Sequence, residues 1–228
     1  MIYYFYCKFK NNNEACAIMK KITVNVIFLI LISNYVYAEA RHEFTGKIGT
    51  GYSSVPKKFG LDVAANYMYA FDPYFAAGGE VNFFWITWDQ VLGEEVVGLT
   101  TREVKAKTDA YTIPFIFDAQ LRLPEIFSKI KLIPSLTVGL GYSLMILSYS
   151  QPDFTDVNSG KHYEKSDKKD FYGGFSWHAY ASIAFQPENS KIFFTLDLGY
   201  RGAYLERENK EIDLSGFIAK AGVKFLID

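Results

Sequence analysis

Residues 191–205, KIFFTLDLGYRGAYL, alternate strictly between two kinds of side chain. Ile192, Phe194, Leu196, Leu198, Tyr200 and Tyr204 fall on one set of positions, and Thr195, Asp197, Gly199, Arg201 and Ala203 on the other. Successive side chains of a β-strand point to opposite faces, so this stretch reads as a strand with one apolar, aromatic-ended face and one small or charged face. It also exceeds the roughly 9–11 tilted residues with which a strand crosses a bilayer.

The pattern recurs, and eight segments carry it: 44–52, 61–71, 74–87, 109–123, 132–147, 175–186, 191–205 and 214–228. In the second, Leu61, Val63, Tyr67, Tyr69 and Phe71 oppose Asp62, Asn66 and Met68; in the fifth, Leu136, Val138, Leu140, Tyr142, Leu144 and Ile146 oppose Ser135, Thr137, Gly139, Gly141 and Ser143. Pro114 sits inside the fourth segment and is expected to mark an edge or a bulge, because proline cannot donate to a ladder. Connections after the second, fourth and sixth segments are short. Residues 89–107 and 148–170 interrupt the alternation and read as long polar loops, with a charged loop at 206–213. The short loop with Pro56-Lys57-Lys58 after the first segment fits this alternation of short and long connections loosely.

The front of the chain has a different character. Met19-Lys20-Lys21 precedes the apolar run Val24–Ile32, and Val36-Tyr37-Ala38 follows it, which is the anatomy of a secretory signal peptide. The run is too short for a comfortable spanning helix, and no cysteine follows it to carry a lipid. The expected division is therefore an upstream extension at 1–18 with a mis-assigned start, a signal peptide at 19–38 and a barrel at 39–228; a genuine extended leader is the alternative. Both cysteines, Cys7 and Cys16, lie in the upstream piece, so the remainder cannot be held by disulfides or a cysteine metal site. Nothing after Ala38 resembles a long apolar helix, so a membrane-spanning remainder must be a closed barrel. The aromatic content, 18% of the chain, suits interfacial girdles, although an aromatic-rich soluble core is a competing use. A net charge of −1 implies neither nucleic acid nor an anionic surface as partner.

The dyad rule also sorts the charges. Lys47, Arg122, Arg201, Lys220 and Lys224 fall on the inward face with Glu43, Asp62, Glu80, Asp118 and Asp197, five of each sign. The interior of an eight-stranded barrel is just wide enough to be filled by side chains, and an enclosed charge must be paired or hydrated. A plug of ion pairs is expected, with Asp197 serving Lys220, Lys224 or Arg201. The inward Gly49, Gly51, Gly78, Gly139, Gly141, Gly199 and Gly222 are expected to leave room for the long cationic chains.

A signal peptide, eight alternating strands, a charged inner face and phrases such as KLIPSLTVGLGYSL and TLDLGYRGAYL resemble the small outer-membrane barrels of the OmpA, OmpX and OmpW kind. The resemblance covers residues 42–228 as texture and implies an all-β, eight-stranded antiparallel up-and-down barrel in the bacterial outer membrane. It departs at the end, where these barrels commonly finish on an aromatic residue and this chain reads Phe225-Leu226-Ile227-Asp228. The partners implied are outer-membrane lipid, the barrel-insertion machinery acting on residues 217–227, and an extracellular partner at loops 89–107 and 148–170.

Some small barrels modify lipids, which needs a nucleophile, a base and an orienting group. His42 adjoins the processed terminus, His162 lies in a loop, and His178 faces inward beside Tyr180, with no serine at a neighbouring lipid-facing position. His178 reads as a hydrogen-bonded interior residue. No phosphate-cradling loop, zinc spacing or calcium loop occurs. The expectation is a structural or surface-contact barrel, neither an enzyme nor a cofactor protein. A narrow solute channel is the main alternative, followed by a lipid-modifying enzyme and a soluble ligand-binding barrel with the two faces exchanged.

Overall fold

The structure, a computed structural model, describes residues 41–123, 131–187, 190–208 and 210–227. The upstream extension and the signal segment, 1–18 and 19–38, lie outside the described residues. In chain order the strands are β1 (Arg41–Ser53), β2 (Lys58–Ala70), β3 (Phe75–Val97), β4 (Thr100–Arg122), β5 (Leu132–Gln151), β6 (Phe154–Thr155), β7 (His162–Tyr163), β8 (Ser166–Phe185), β9 (Ile192–Arg207), β10 (Lys210–Asp213) and β11 (Gly216–Ile227).

Each long strand pairs antiparallel with its neighbour in the order β9-β11-β1-β2-β3-β4-β5-β8, and β8 pairs back onto β9. That last ladder, from Gly173↔Glu206 to Phe185↔Phe194, closes the sheet, so the wall has no edge along its spanning part. The first and last wall strands meet from His42↔Ile227 to Gly51↔Ile218.

The faces are assigned by burial. Leu196 and Leu198 are 50% and 57% exposed, whereas Asp62 and Lys220, on the opposite dyad positions, are 0% and 1% exposed. An exposed apolar wall around a charged interior is stable only with lipid outside, since water would leave the wall unburied. The soluble reading with faces exchanged is thereby overturned. Aromatic side chains also mend the outer wall: a Cβ at Gly202 would collide with the Trp177 indole across the β8–β9 ladder.

Three expectations about the loops need correction. Residues 89–107 are not a loop: β3 continues to Val97 and β4 opens at Thr100, giving a hairpin with one register shift between Val91 and Gly93. Residues 148–170 also contain strand, because β5 and β8 pair up to Gln151↔Ser166, with the small β6–β7 hairpin beyond. Within 206–213, β10 folds back on β9. Pro114, finally, is neither at an edge nor in a bulge. It lies in mid-wall opposite Ser143 of β5, and on its other side the β3–β4 ladder simply lacks the pairings between Val81↔Phe115 and Phe84↔Thr112. The closed neighbours hold the register that a missing N–H would loosen in an open sheet.

Candidate functional site

The interior is built in storeys. At the short-turn end, Arg122 of β4 grips Glu43 of β1 with two hydrogen bonds of 2.7 Å, and Lys224 of β11 reaches the same carboxylate at 2.9 Å. Fork-on-carboxylate pairing of this kind is the strong geometry for arginine. Lys224 is the least enclosed of the ten inward charges, its side chain 13% exposed.

Above it, Glu80 of β3 receives Lys47 at 3.0 Å and Lys220 at 2.9 Å, with the Tyr180 hydroxyl donating at 3.3 Å. Lys47 also lies 2.9 Å from Asp197 and 2.8 Å from the Tyr180 oxygen. Asp62 holds Arg201 at 2.9 Å and stands 3.5 Å from Lys220. Asp118 is bound by His178 Nε2 at 2.7 Å and by the Asn66 amide at 2.7 Å. The imidazole's other nitrogen is 3.9 Å from Glu80.

All ten sequence-assigned charges therefore stand in the lumen, but one partnership differs from expectation. Asp197 contacts Lys47, not Lys220, Lys224 or Arg201. Lys220 is its ladder neighbour across β9–β11, yet that amine reaches over to Glu80 and Asp62. The glycine expectation also needs amendment. A Cβ at Gly51 would come 3.1 Å from the Arg201 guanidinium, and one at Gly139 would enter the His178–Asp118 contact, so these two do clear space for the network. At Gly49, Gly78 and Gly141 a Cβ would instead run into the backbone of the adjacent strand.

A further storey lies toward the long-loop end and is apolar. Phe84, Ile86, Ala110, Met145, Tyr172, Ala203, Leu205 and Leu214 form one buried cluster, with Trp88, Leu147 and Ile212 packed against it. Sorting by charge overlooked this layer, although Phe84 and Ile86 stand on inward dyad positions of β3. Among the described residues, a void of about 20 Å³ lies beside Lys47, Asp197 and Lys224 and another of about 20 Å³ beside Asn82, His178 and Arg201. That is room for about a single water in each.

Beyond the apolar storey the loops are clasped. Asp156, between β6 and β7, accepts from the Glu94 amide at 3.0 Å and the Ser159 amide at 3.0 Å, and the Val157 amide donates back to the Glu94 carbonyl at 2.9 Å. A Cβ at Gly93 would strike the Asp156 carboxylate, so the glycine after the register shift lets the clasp close. The Glu94 amide above all, with the Ser159 hydroxyl, holds the Asp156 carboxyl below the usual carboxylate range. Phe154 stacks on Tyr163 with ring centroids 4.8 Å apart and is buried. Among the described residues, no group of His, Cys, Asp and Glu converges as a metal site would require.

An eight-stranded closed ladder, apolar outside and charged within, is the construction of outer-membrane barrels. The chain is a small outer-membrane-type β-barrel. No protein-family model and no curated protein matches its sequence. Among solved structures it is similar to the attachment invasion locus protein Ail of Yersinia pestis in complex with the heparin analogue sucrose octasulfate, at 13% identity over 82% of this chain and 97% of that one, with a TM-score of 0.47. It is also similar to the neisserial surface protein NspA, at 11% identity over 82% and 97% of the two chains, TM-score 0.48. A major outer membrane protein of Thermus thermophilus aligns at 13% identity over 82% and 99%, TM-score 0.46. These likenesses are of fold.

Proposed function

We propose that this chain is an exported, non-conducting structural barrel of the bacterial outer membrane that presents a clasped surface crown. One observation carries the reading: the lumen is filled twice in series, first by paired charges from Glu43 to Arg201 and then by the apolar layer from Phe84 to Leu214. A hydrated ion moving through would have to part buried ion pairs and then cross a dry layer, each step opposed by desolvation. The crown, residues 89–107 and 148–170, is where an extracellular partner would touch, since a rigid wall holding external segments is the usual arrangement of binding function. The last strand turns Phe217, Phe225 and Ile227 outward, an apolar surface for the insertion machinery to read.

Purified protein in planar bilayers tests this. The expected record is small, infrequent conductance far below that of a wide porin. A large and steady conductance in the unmodified protein would replace the structural reading with the channel reading.

A further inference from the structure

The β3–β4 ladder passes from Val81↔Phe115 directly to Phe84↔Thr112, so the rungs that would set Asn82 opposite Pro114 and Phe83 opposite Ile113 are missing. The Asn82 rung is the one that proline breaks. Higher on the same hairpin, the Glu94 amide donates to Asp156 and the Glu94 carbonyl accepts from the Val157 amide, so both turn away from β4. Glu94 stands opposite Glu103, and residues of an antiparallel pair alternate between bonding each other and bonding outward. Counting along β4 from Glu103, it is Val104, Ala106 and, at the same parity, Pro114 that direct their backbone at β3. Proline carries no N–H, and Pro114 therefore offers the Asn82 carbonyl no donor.

The void of about 20 Å³ beside Asn82 adjoins this gap, lined also by Pro114, Ser176, His178 and Arg201. Asn82 and Arg201 are only 5% and 6% exposed. Asn82 Oδ1 and Arg201 Nε and Nη2 have no hydrogen-bond partner among the described residues. Arg201 commits Nη1 to Asp62 at 2.9 Å. A buried acceptor and a buried donor group thus border one small space, at the point where the ladder has lost a donor. Leaving such groups unpaired would carry their full desolvation cost.

We propose that this void is a binding site for one ordered water, which donates to Asn82, accepts from Arg201 and stands in for the rung that Pro114 removes. The chemistry chooses the occupant. A water donates and accepts at once, whereas an anion there would face the Asn82 oxygen and a cation would face the guanidinium. The volume suits one molecule, and the polar neighbours match the two to four that hold a buried water. The bridge joins the β3–β4 wall to Arg201 of β9 across the lumen, and through Arg201 to Asp62 of β2. One bound water makes no continuous column, so the site does not rest on the conductance reading proposed above.

The first test uses the unmodified full chain folded in lipid nanodiscs. Nuclear Overhauser transfer from water is recorded at the Asn82 side-chain amide and the Arg201 Nε–H, with the Ile86 methyl groups of the apolar storey as reference. The expected result is transfer at both polar groups and none at Ile86. Absence of transfer at Asn82 and Arg201 would overturn the site, and equal transfer at Ile86 would replace one defined water by general hydration. The Ser176 hydroxyl proton exchanges with water and could carry the signal, so the measurement is repeated on Ser176→Ala. Persistence supports the bound water and disappearance overturns it. Asn82→Leu, read by folding titrations in vesicles, adds a sign. With water in place the variant loses a buried hydrogen bond, and the folding constant should fall by about tenfold. In a dry void the same change would remove an unpaired oxygen, and a rise in the folding constant would overturn the proposal. Should Asn82→Leu fail to fold, the transfer measured on the unmodified chain decides.

Discussion

The guanidinium carbon of Arg201 lies 3.4 Å from the centroid of the Phe84 ring. The same guanidinium donates to Asp62 at 2.9 Å, so one residue belongs to both storeys of the lumen. Its charged edge closes the ion-pair network, and its flat face is the floor of the apolar layer. A cation on a ring gains about 2 kcal/mol when desolvated, and this pair is enclosed on all sides.

Phe84 is therefore the first place to cut. Phe84→Ala should cost about 3–5 kcal/mol, combining a cavity with loss of the stacked cation. Phe84→Leu should keep much of the apolar volume and cost about 2 kcal/mol, the value of the cation–ring contact. Urea titrations of folding in lipid vesicles would measure both. A cost near zero for Phe84→Leu would mean that the stacking contributes nothing.

In the charged storey, Glu80 and Asp197 should behave differently. Glu80→Gln leaves both Lys47 and Lys220 short of a partner, whereas Asp197→Asn leaves Lys47 still beside Glu80. Breaking a buried pair from one side costs about 3–5 kcal/mol, so Glu80→Gln should fall at or above that range and Asp197→Asn below it. The same titrations rank them. The reverse order would show that Asp197, not Glu80, is the hub.

On the outside, Leu196→Arg should destabilise by about 2–4 kcal/mol if Leu196 stands near the bilayer midplane, while Leu196→Phe should be close to neutral. Both are read from vesicle folding equilibria. Tolerance of the arginine would place Leu196 outside the hydrocarbon.

The crown should respond to acid. The Glu94 amide holds the Asp156 carboxyl below its ordinary range, so the folded clasp binds the proton less readily than an open loop does. Its contribution is present in full above the ordinary carboxylate pKa and is lost as pH falls through the lowered value. Hydrogen exchange at the Glu94 and Val157 amides should accelerate across that acidic interval, beyond the intrinsic pH trend. Asp156→Asn should remove the additional pH dependence. An unchanged profile in the variant would detach the clasp from Asp156.

The wall was legible because lipid imposes the period-two rule: Leu196 and Leu198 must be greasy and Asp197 must not. The crown was not, and β4 shows why. Ile113, Phe115 and Phe117 point outward below, against Thr112 and Asp118 within; higher up, Lys105 and Lys107 point outward against buried Val104 and Ala106. Beyond the bilayer the outside is water, so the hydropathy pattern inverts its phase while the strand continues. A reading that expects grease on one fixed set of positions sees a break at that inversion. The network's partners were illegible for another reason. Alternation puts Asp197 and Lys220 in the lumen but does not say which carboxylate each amine turns to: Lys220 reaches Glu80 and Asp62, and Lys47 takes Asp197.

That inversion divides the permitted substitutions of this surface into two classes. The hairpin tip, with Leu99 wholly exposed, and the outward Lys105 and Lys107 of β4, paired only with Glu103 and Asp109 of the same strand, support nothing in the interior and are free to change. Ile86, Met145, Leu205 and Leu214, inside the same crown, each support the others and are not. Variation among natural versions of this protein should therefore be patchy at single-residue spacing, with changing and unchanging positions alternating along one strand.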